Sequence, residues 1–378
     1  MCTVGSLYQG AGLDPDFLTP RPAGFMMPSM SLRQYVGAIM AAGVLAVSSP
    51  TGPGTAQSAV PRTVQAPGSF AGQIAALSEP GGYFDTDNLI SNERSYLQVI
   101  PELQRAGVRG GVYIGVGPDQ NFSYIAHIRP AMAFIVDIRR DNLLLHLLFK
   151  ALFAEARTRV EYLALLLGRP VPRPLDEWRE AGIGRLVAYI DGVPVERRSV
   201  EALRMRLDGL VTRFGVALSA DDLATIDRFH RRFIEAGLGL RFQSTGRPPQ
   251  SHYPDYRELL LETDSSGRQN NFLATEEGFQ FLKALQARDR IIPVVGDLSG
   301  PKALAAVGRL LNGKRERLSA FYTSNVEFYL ERAGSYDRFL NNLSGMPRTP
   351  GAVVIRSIFG RFNGGSMSEI QRVDEIVK

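Results

Sequence analysis

The segment Gly111-Val-Tyr-Ile-Gly-Val-Gly117 is the strongest indication of the fold class in this sequence. Its apolar, β-rich run ends in two glycines, the pattern of a buried parallel strand that enters a ligand-binding turn. A helix is predicted next, from Asn121 to Ile128, and a second apolar run, Ala133-Phe-Ile-Val-Asp-Ile-Arg139, follows it. A strand, a helix and another strand in this order predict a parallel sheet with right-handed crossovers.

Strands return near the end of the chain. They are predicted at Arg290 to Leu298, at Leu318 to Glu327 with an edge loop, and at Gly351 to Phe359. Between the first two, a helix is predicted from Pro301 to Asn312, because proline favours the first turn and Gly313 follows the last. We therefore expect an α/β fold from about Gly110 onward, with a doubly wound, mostly parallel sheet. Residues 360–378 are expected to form a helix and a tail.

The remaining segments suggest four regions. Residues 1–67 form a leader, 68–141 the first half of the α/β domain, 142–288 a helical insertion or lid, and 289–378 the second half. A helix from about Asn92 to Ala106 is expected in the first half. In the insertion, Ser219 and Thr275 are predicted helix caps, and the segment from Gly239 to Asn271 has the composition of a loop.

The leader contains an apolar run, Tyr35 to Val47, that is too short to span a bilayer, which needs about 20 residues. Read from Met30, it resembles an export signal with a short basic start and a small-residue cleavage site at Ala46-Val-Ser48 or Ala56-Gln-Ser58. This interpretation predicts an exported or periplasmic protein without a transmembrane span in its mature form. The alternative is a disordered leader or an upstream mis-start on a cytoplasmic protein.

Composition argues against several classes of protein. Lys and Arg number 43 against 38 Asp and Glu, and this small surplus is scattered along the chain, so there is no specific signal for nucleic-acid binding. Cys2 is the only cysteine, which excludes an intrachain disulfide and a thiolate cluster. The four histidines lack metal-ligand spacing, so no metal site is expected. One of them, His230, is expected on a solvated helix face.

The candidate site lies where the strands end. In an open α/β sheet, ligands bind beyond the carboxyl ends of the strands. Gly115 and Gly117 leave room for a ligand beside the first strand, and the next helix directs free N–H groups toward it. Asp137 ends the second strand about twenty residues later, where a carboxylate can accept both hydroxyls of a ribose. Together they predict a site for a nucleoside-type ligand.

These residues resemble the first two motifs of class I S-adenosylmethionine-dependent methyltransferases. The resemblance covers about Gly110 to Arg140 and Asp289 to Phe359. The segments Gly81-Gly-Tyr-Phe84 and Gly115-Val-Gly-Pro-Asp-Gln-Asn121 also resemble an uncharacterised bacterial family of methyltransferase-like proteins. The resemblance implies S-adenosylmethionine as cofactor, an acceptor of unknown identity, and a Rossmann-like fold. The cofactor-binding residues that it implies are Gly115, Gly117, Pro118, Asp119, Asn121, Asp137, Asp297 and Leu298. Of these, Asp297 would bind the adenine amino group.

The acceptor side is expected at Phe321-Tyr-Thr-Ser-Asn-Val-Glu327, in the place of the fourth-strand motif. Tyr322, Asn325 and Glu327 are the candidate catalytic residues, because a hydroxyl, an amide and a carboxylate at a strand end can orient or deprotonate an acceptor. Their alternative roles are structural: Asn325 in a turn and Tyr322 in the core.

The chain also departs from the methyltransferase pattern. The acid that ends the first strand is missing, since Tyr113 and Ile114 stand in its place; Asp119 or Glu93 is the candidate replacement. A nicotinamide site is disfavoured because Gln120 occupies the third glycine position. Two functions therefore stay open: a methyltransferase, or a non-catalytic ligand-binding protein with the same fold.

An upstream loop is the last candidate element. It contains Tyr83, Phe84, Asp87 and Asn88 and could fold over the ligand. The alternative is ordinary packing onto the sheet.

Overall fold

A computed structural model describes Ala66, residues 68–245, Gln250, and residues 252–362 and 365–378, with the side chains of 360–365 excepted. The expected export signal between Met30 and Ser58 lies outside the described residues.

Six strands form one sheet in the described part of the chain. They are β1 (Val112–Gly115), β2 (Met132–Asp137), β3 (Ile291–Val295), β4 (Leu318–Ser324), β5 (Arg348–Phe362) and β6 (Gly365–Arg372). Their order is β3-β2-β1-β4-β5-β6, and every neighbouring pair is parallel except β5 with β6. The fold is therefore α/β with a mostly parallel, Rossmann-like sheet, as expected.

The strand order reverses between β1 and β4. From β1 the chain builds outward to β2 and β3, and it then returns to the other side of β1 with β4 and β5. In open α/β sheets, ligands bind at such a reversal, beside the carboxyl ends of the two central strands, and we call this place the crevice.

The described helices fall around this sheet. They are α1 (Phe70–Leu77), α2 (Ile100–Arg105), α3 (Gln120–Ile128), α4 (Arg140–Glu155), α5 (Arg159–Leu166), α6 (Ile183–Gly192), α7 (Arg197–Arg213), α8 (Ala220–Ala236), α9 (Tyr256–Leu261), α10 (Glu276–Ala287), α11 (Ala303–Lys314), α12 (Val326–Arg332), α13 (Tyr336–Ser344) and α14 (Val373–Ile376). Helices α4 to α10 all lie between β2 and β3 in the chain. None of the helices in the described ranges combines the length and apolar character that crossing a bilayer requires.

Local capping explains where several helices begin. Ser219 and Asp222 form a reciprocal capping box at α8, and the Thr275 hydroxyl accepts from the backbone of α10. Both caps were predicted, because the side-chain oxygen of such a residue satisfies N–H groups that have no partner inside the helix. Helix α9, with a capping box at Asp255, lies inside the segment that was expected to be loop.

The structure corrects the predicted helix from Asn92 to Ala106. Only Ile100–Arg105 is helical, with Pro101 in its first turn. Proline has no N–H to donate to a preceding helical turn but is tolerated in the first turn of a helix, so the helix starts beside Pro101 and does not continue back to Asn92.

The structure also corrects the end of the chain. Residues 365–372 form β6, which pairs antiparallel with β5, and the expected helix is limited to Val373–Ile376. Ser366, Ser368 and Glu369 make β6 too polar to be recognised as a strand, and pairing with the long β5 decides its conformation.

Helix α4 is buried against the sheet and begins near its carboxyl edge. Its residues from Asn142 to Phe153 are all buried, and α4 contacts β2 and β3. Its first turn begins three residues after Asp137, so its polar residues Asn142 and His146 lie near the carboxyl edge of the sheet.

Candidate functional site

The carboxyl edge of the sheet brings together the residues that end β1 to β4. Gly115 pairs with Ile135 on one side and with Tyr322 on the other. Asp137 pairs with Val295, the last residue of β3. The glycine turn and the strand-ending aspartate therefore share one edge of the sheet.

The glycine turn follows β1, and hydrogen bonds from the Asn121 side chain hold it in place. Gly117 has φ +80°, a left-handed conformation that suits glycine. A Cβ on Gly115 would lie only 1.9 Å from Asn121 Oδ1. The Asn121 amide donates to the carbonyls of Val116 and Pro118, both at 2.8 Å, and its Oδ1 accepts from the Tyr113 hydroxyl at 2.8 Å. Gly115 thus makes room for a protein side chain.

The Asp137 carboxylate is held by a neighbouring arginine. Arg139 donates to Oδ1 from Nε at 3.2 Å and to Oδ2 from Nη2 at 3.1 Å, and its backbone N–H also donates to Oδ1. The arginine is itself fixed, because Nη1 donates to the carbonyls of Thr86 and Asp87. Both side chains are largely buried, so a ribose could reach Asp137 only by displacing the guanidinium.

Residues 78–88, which we call the strap, cross the ends of the strands. The backbone N–H of Glu79 donates to the Val295 carbonyl at the end of β3, at 2.9 Å. Further along, the N–H of Gly82 donates to the carbonyl of Ile138, just after β2, at 2.8 Å. The loop that was expected either to fold over a ligand or to pack on the sheet is packed on the sheet edge itself.

The strap ends beside the glycine turn. Asn88 has φ 46°, and its Nδ2 lies 3.5 Å from the place that a Cβ on Gly117 would take. At the outer rim, the rings of Phe84 and Tyr329 meet edge to face with centroids 5.0 Å apart, and Tyr83 is 79% exposed. The strap therefore connects the turn after β1 with α12.

The residues after β3 also have protein partners. Asp297 Oδ1 accepts from the backbone N–H and the hydroxyl of Ser299, and the Asp297 N–H donates to the Glu79 carboxylate at 2.8 Å. Leu298 is buried, and its carbonyl accepts from the Asn342 amide. Asp297 Oδ1 and the Leu298 carbonyl are thus bonded within the protein.

Asp119 is buried at the start of α3. Its Oδ2 accepts from the Tyr256 hydroxyl at 2.9 Å. Burial raises the pKa of Asp119 to about 7, against the lowering effect of that hydrogen bond. The carboxyl group is thus directed into the protein, toward α9.

Tyr322, the first candidate for the acceptor side, lies in the core. Its hydroxyl donates to Glu93 Oε2 at 2.6 Å and accepts from Gln120 Nε2 at 3.3 Å. Burial raises the pKa of Tyr322 well above its ordinary value. Its hydroxyl links Glu93 to the first residue of α3.

Asn325 and Glu327 follow β4 on the other side of the crevice. Asn325 is half-buried and precedes α12 without capping it through its side chain. Glu327 accepts from the Thr323 and Tyr336 hydroxyls and pairs with Arg356 at 3.1 Å. Of the three candidate catalytic residues, Glu327 is the one already neutralised by a cation.

Glu93 emerges as a central residue of this edge. Its side chain is 0% exposed and accepts from the hydroxyls of Tyr322, Ser324 and Ser357. Burial raises its pKa, while these three hydroxyls lower it. The sequence suggested Glu93 only as one replacement for the missing acid, because nothing local indicates that its partners come from β4 and β5.

Three buried side chains around the Gly117 turn carry polar atoms without a partner in the described chain. These atoms are Gln120 Oε1, both amide atoms of Asn142, and His146 Nδ1. His146 Nε2 lies 2.9 Å from the Gly117 carbonyl, and Gln120 Nε2 lies 3.2 Å from where a Gly117 Cβ would be. Asn142 is one helical turn before His146 on the same face of α4. Unpaired buried polar groups are costly, so we take the Gly117 turn, where these three side chains are grouped, as the candidate binding site.

This edge differs from the S-adenosylmethionine site that the resemblance implies. Asp137, the expected ribose-binding acid, is paired with Arg139, and the strap lies across the ends of β2 and β3. The cradle at Gly115 is filled by Asn121. No cluster of metal-binding side chains is found among the described residues either.

A comparison with curated proteins gives no match. A family model described as a domain of unknown function, DUF7790, matches residues 88–169 and 247–374. The matched segments contain all six strands of the sheet, the Gly117 turn, Glu93 and the first turn of α4. The chain therefore belongs to the DUF7790 family.

Proposed function

We propose that the protein binds a small polyhydroxylated ligand beside the Gly117 turn and does not transfer a methyl group. The observation that carries this proposal is the set of buried, unpaired polar atoms on Gln120, Asn142 and His146. These side chains are 6%, 2% and 2% exposed, and they lie at the strand reversal where ligands of such sheets bind.

The protonation state of His146 narrows the chemistry of the ligand. Burial lowers the pKa of His146 to about 4, so the ring is neutral at pH 7. Its Nε2 faces the Gly117 carbonyl and must carry the proton, which leaves Nδ1 as an acceptor. Gln120 Oε1 is also an acceptor, whereas Asn142 offers one donor and one acceptor.

Hydroxyl groups match this set best. A phosphate or carboxylate has acceptor oxygens and would be repelled by the acceptor atoms of Gln120, Asn142 and His146. An ammonium group has only donors and would leave the Asn142 NH2 group unpaired. A hydroxyl both donates and accepts, and it can be buried without the cost of desolvating a charge. Sugars and other polyols are therefore the proposed ligand class.

The test compares Asn142→Leu with Asn312→Leu, a matched change on the exposed face of α11. Pentoses, hexoses and nucleosides at millimolar concentration are screened by thermal unfolding, since a ligand that binds only the folded state raises Tm. We expect at least one compound to raise the Tm of the wild type and of Asn312→Leu but not of Asn142→Leu.

The ligand-free stability gives a second readout. Replacing an unpaired buried amide with an apolar side chain of similar size should leave the protein unchanged or more stable by about 1–2 kcal/mol. If no compound raises Tm, or if Asn142→Leu responds as the wild type does, the proposed ligand class is wrong.

S-adenosylmethionine-dependent methyl transfer is the second candidate. It is favoured by the placement of the Gly117 turn, Asp137 and the β3 end on one sheet edge. It requires the Arg139 guanidinium to leave Asp137. A rise in Tm with S-adenosylhomocysteine that Asp137→Ala abolishes would favour this candidate, and methyl transfer to components of a cell extract would refute the non-catalytic proposal.

A further inference from the structure

Among the residues that the structure describes, Glu93 is buried with no cation among its hydrogen-bond partners. Those partners are the hydroxyls of Tyr322, Ser324 and Ser357. The other titratable groups that interact with it are also acids, the phenols of Tyr113 and Tyr124. Ionising a carboxyl group in such surroundings costs free energy, so Glu93 is suited to holding a proton.

A chain of serine hydroxyls leads from Glu93 to the edge of the sheet. Ser357 Oγ lies 2.5 Å from Glu93 Oε2 and 3.3 Å from Ser368 Oγ. Ser368 Oγ lies 3.1 Å from Ser95 Oγ, which in turn lies 2.9 Å from Ser366 Oγ. The four hydroxyls therefore form an unbroken hydrogen-bonded path.

The tertiary structure places these serines in line. Ser357 and Ser368 face each other directly in the pairing of β5 with β6. Ser357, Ser368 and Ser95 are buried, whereas Ser366 is half-buried and reaches the exterior. Of the four serines, the last member of the path is the most exposed.

We infer that Glu93 exchanges a proton with the exterior through Ser357, Ser368, Ser95 and Ser366, and that it serves as a proton donor and acceptor beside the crevice. Each serine hydroxyl can act as donor or acceptor toward its neighbour. When Glu93 takes up a proton, Ser357 gives its own proton to Oε2 and receives one from Ser368; Ser95 and then Ser366 follow. A hydronium ion of the solvent replaces the proton on Ser366 and is left as water. Release reverses every step, so no other reactant is needed.

This inference goes beyond the proposed ligand, because the path is complete in the protein alone. On the crevice side, Tyr322 and Gln120 connect Glu93 to the Gly117 turn. Failure of the sugar-binding test would therefore leave this inference standing, and the reverse also holds.

The first experiment measures the protonation of Glu93. Infrared spectra of wild type and Glu93→Gln are compared during a pH titration, and the difference isolates the carboxyl C=O band of Glu93. We expect the midpoint to lie above 4.5, the ordinary value for this group. A midpoint at or below 4.5 would overturn the inference. Ser357→Ala, which removes one hydrogen bond and shifts the band, assigns it if Glu93→Gln does not fold.

The second experiment tests the path. Ser324 offers Glu93 another hydroxyl on the crevice side, so all variants carry Ser324→Gly, which suits the φ of 56° at that position. Into this background we place Ser368→Ala, which breaks the path, or Ser368→Thr, which keeps a hydroxyl. Exchange of the Glu93 proton for deuterium is followed by the shift of the same band after dilution into D2O.

We expect Ser368→Ala to slow the exchange at least tenfold and Ser368→Thr to keep the rate of the background. Equal rates in all three proteins would show that the proton does not travel through Ser368. Equal slowing by alanine and threonine would show a packing effect and would also refute the path.

Discussion

Buried acids with hydroxyl partners distinguish this site at the scale of single residues. Asp119 is bound by Tyr256, and Glu93 is bound by Tyr322 and two serines. In each case burial outweighs the hydrogen bonds and raises the pKa. Asp119 and Glu93, the two alternatives for the acid that the methyltransferase pattern expects, thus both have their carboxyl groups directed into the protein.

Asp119→Asn should stabilise the protein at high pH. The folded-state pKa of about 7 exceeds the ordinary 3.8, so the folded form binds the proton more tightly. Stability from this group is complete below pH 3.8 and is lost as pH rises through about 7. The variant should match the wild type near pH 4 and exceed its free energy of unfolding by up to about 4 kcal/mol at pH 8.

Urea unfolding at the two pH values measures this difference, with the exposed Asp337→Asn as control. A difference that is the same at both pH values would contradict the assigned pKa.

The strap is the element that separates this site from an open nucleotide-binding edge. Glu79 Oε1 accepts from the Asp297 N–H at 2.8 Å, and Oε2 accepts from the Lys302 N–H at 3.3 Å, just before α11. A Cβ on Gly300 would lie 2.4 Å from the same carboxylate. The loop after β3 is therefore shaped around a side chain of the strap.

Glu79→Ala should loosen the strap without unfolding the sheet. Losing hydrogen bonds to a charged group costs roughly 1–3 kcal/mol, which corresponds to about tenfold to hundredfold faster local opening. Hydrogen exchange at the backbone amides of Glu79 and Gly82, read by mass spectrometry, measures the effect. Glu102→Ala on the exposed face of α2 is the control, and unchanged exchange in Glu79→Ala would mean that other contacts hold the strap.

Across the whole molecule, buried histidines and buried acids make stability depend on pH in opposite directions. His230 was expected on a solvated helix face, but it is buried, with Nε2 3.1 Å from the Leu165 carbonyl. The helical insertion supplies this partner from α5, which the sequence around His230 could not indicate. Burial lowers the pKa of both His146 and His230 to about 4.

His230→Gln should therefore stabilise the protein at low pH. The folded-state pKa of about 4 lies below the ordinary 6.5, so stability from this group is present above pH 6.5 and is lost as pH falls through about 4. Relative to wild type, the variant should gain about 2 kcal/mol in free energy of unfolding between pH 8 and pH 5. The gain in stability thus grows as pH falls, whereas that of Asp119→Asn grows as pH rises.

Denaturant unfolding across this range checks the prediction. A variant whose stability runs parallel to that of the wild type at all pH values would show that His230 titrates normally.

The sequence alone determined the local parts of the design. The apolar runs ending at Gly115 and Asp137 predicted β1 and β2, and the caps at Ser219 and Thr275 predicted two helix starts. These features depend on side-chain period and on hydrogen bonds within a few residues, so they can be read from neighbouring positions.

The contacts at the carboxyl edge of the sheet depend on long-range packing. Glu93 meets Ser357 across 264 positions of the chain, Arg139 turns back onto Asp137 while the strap holds it, and β6 exists because β5 pairs with it. Such contacts depend on which strands become neighbours and on how much water they exclude. No single segment of the sequence contains that information, because it depends on residues far apart in the chain.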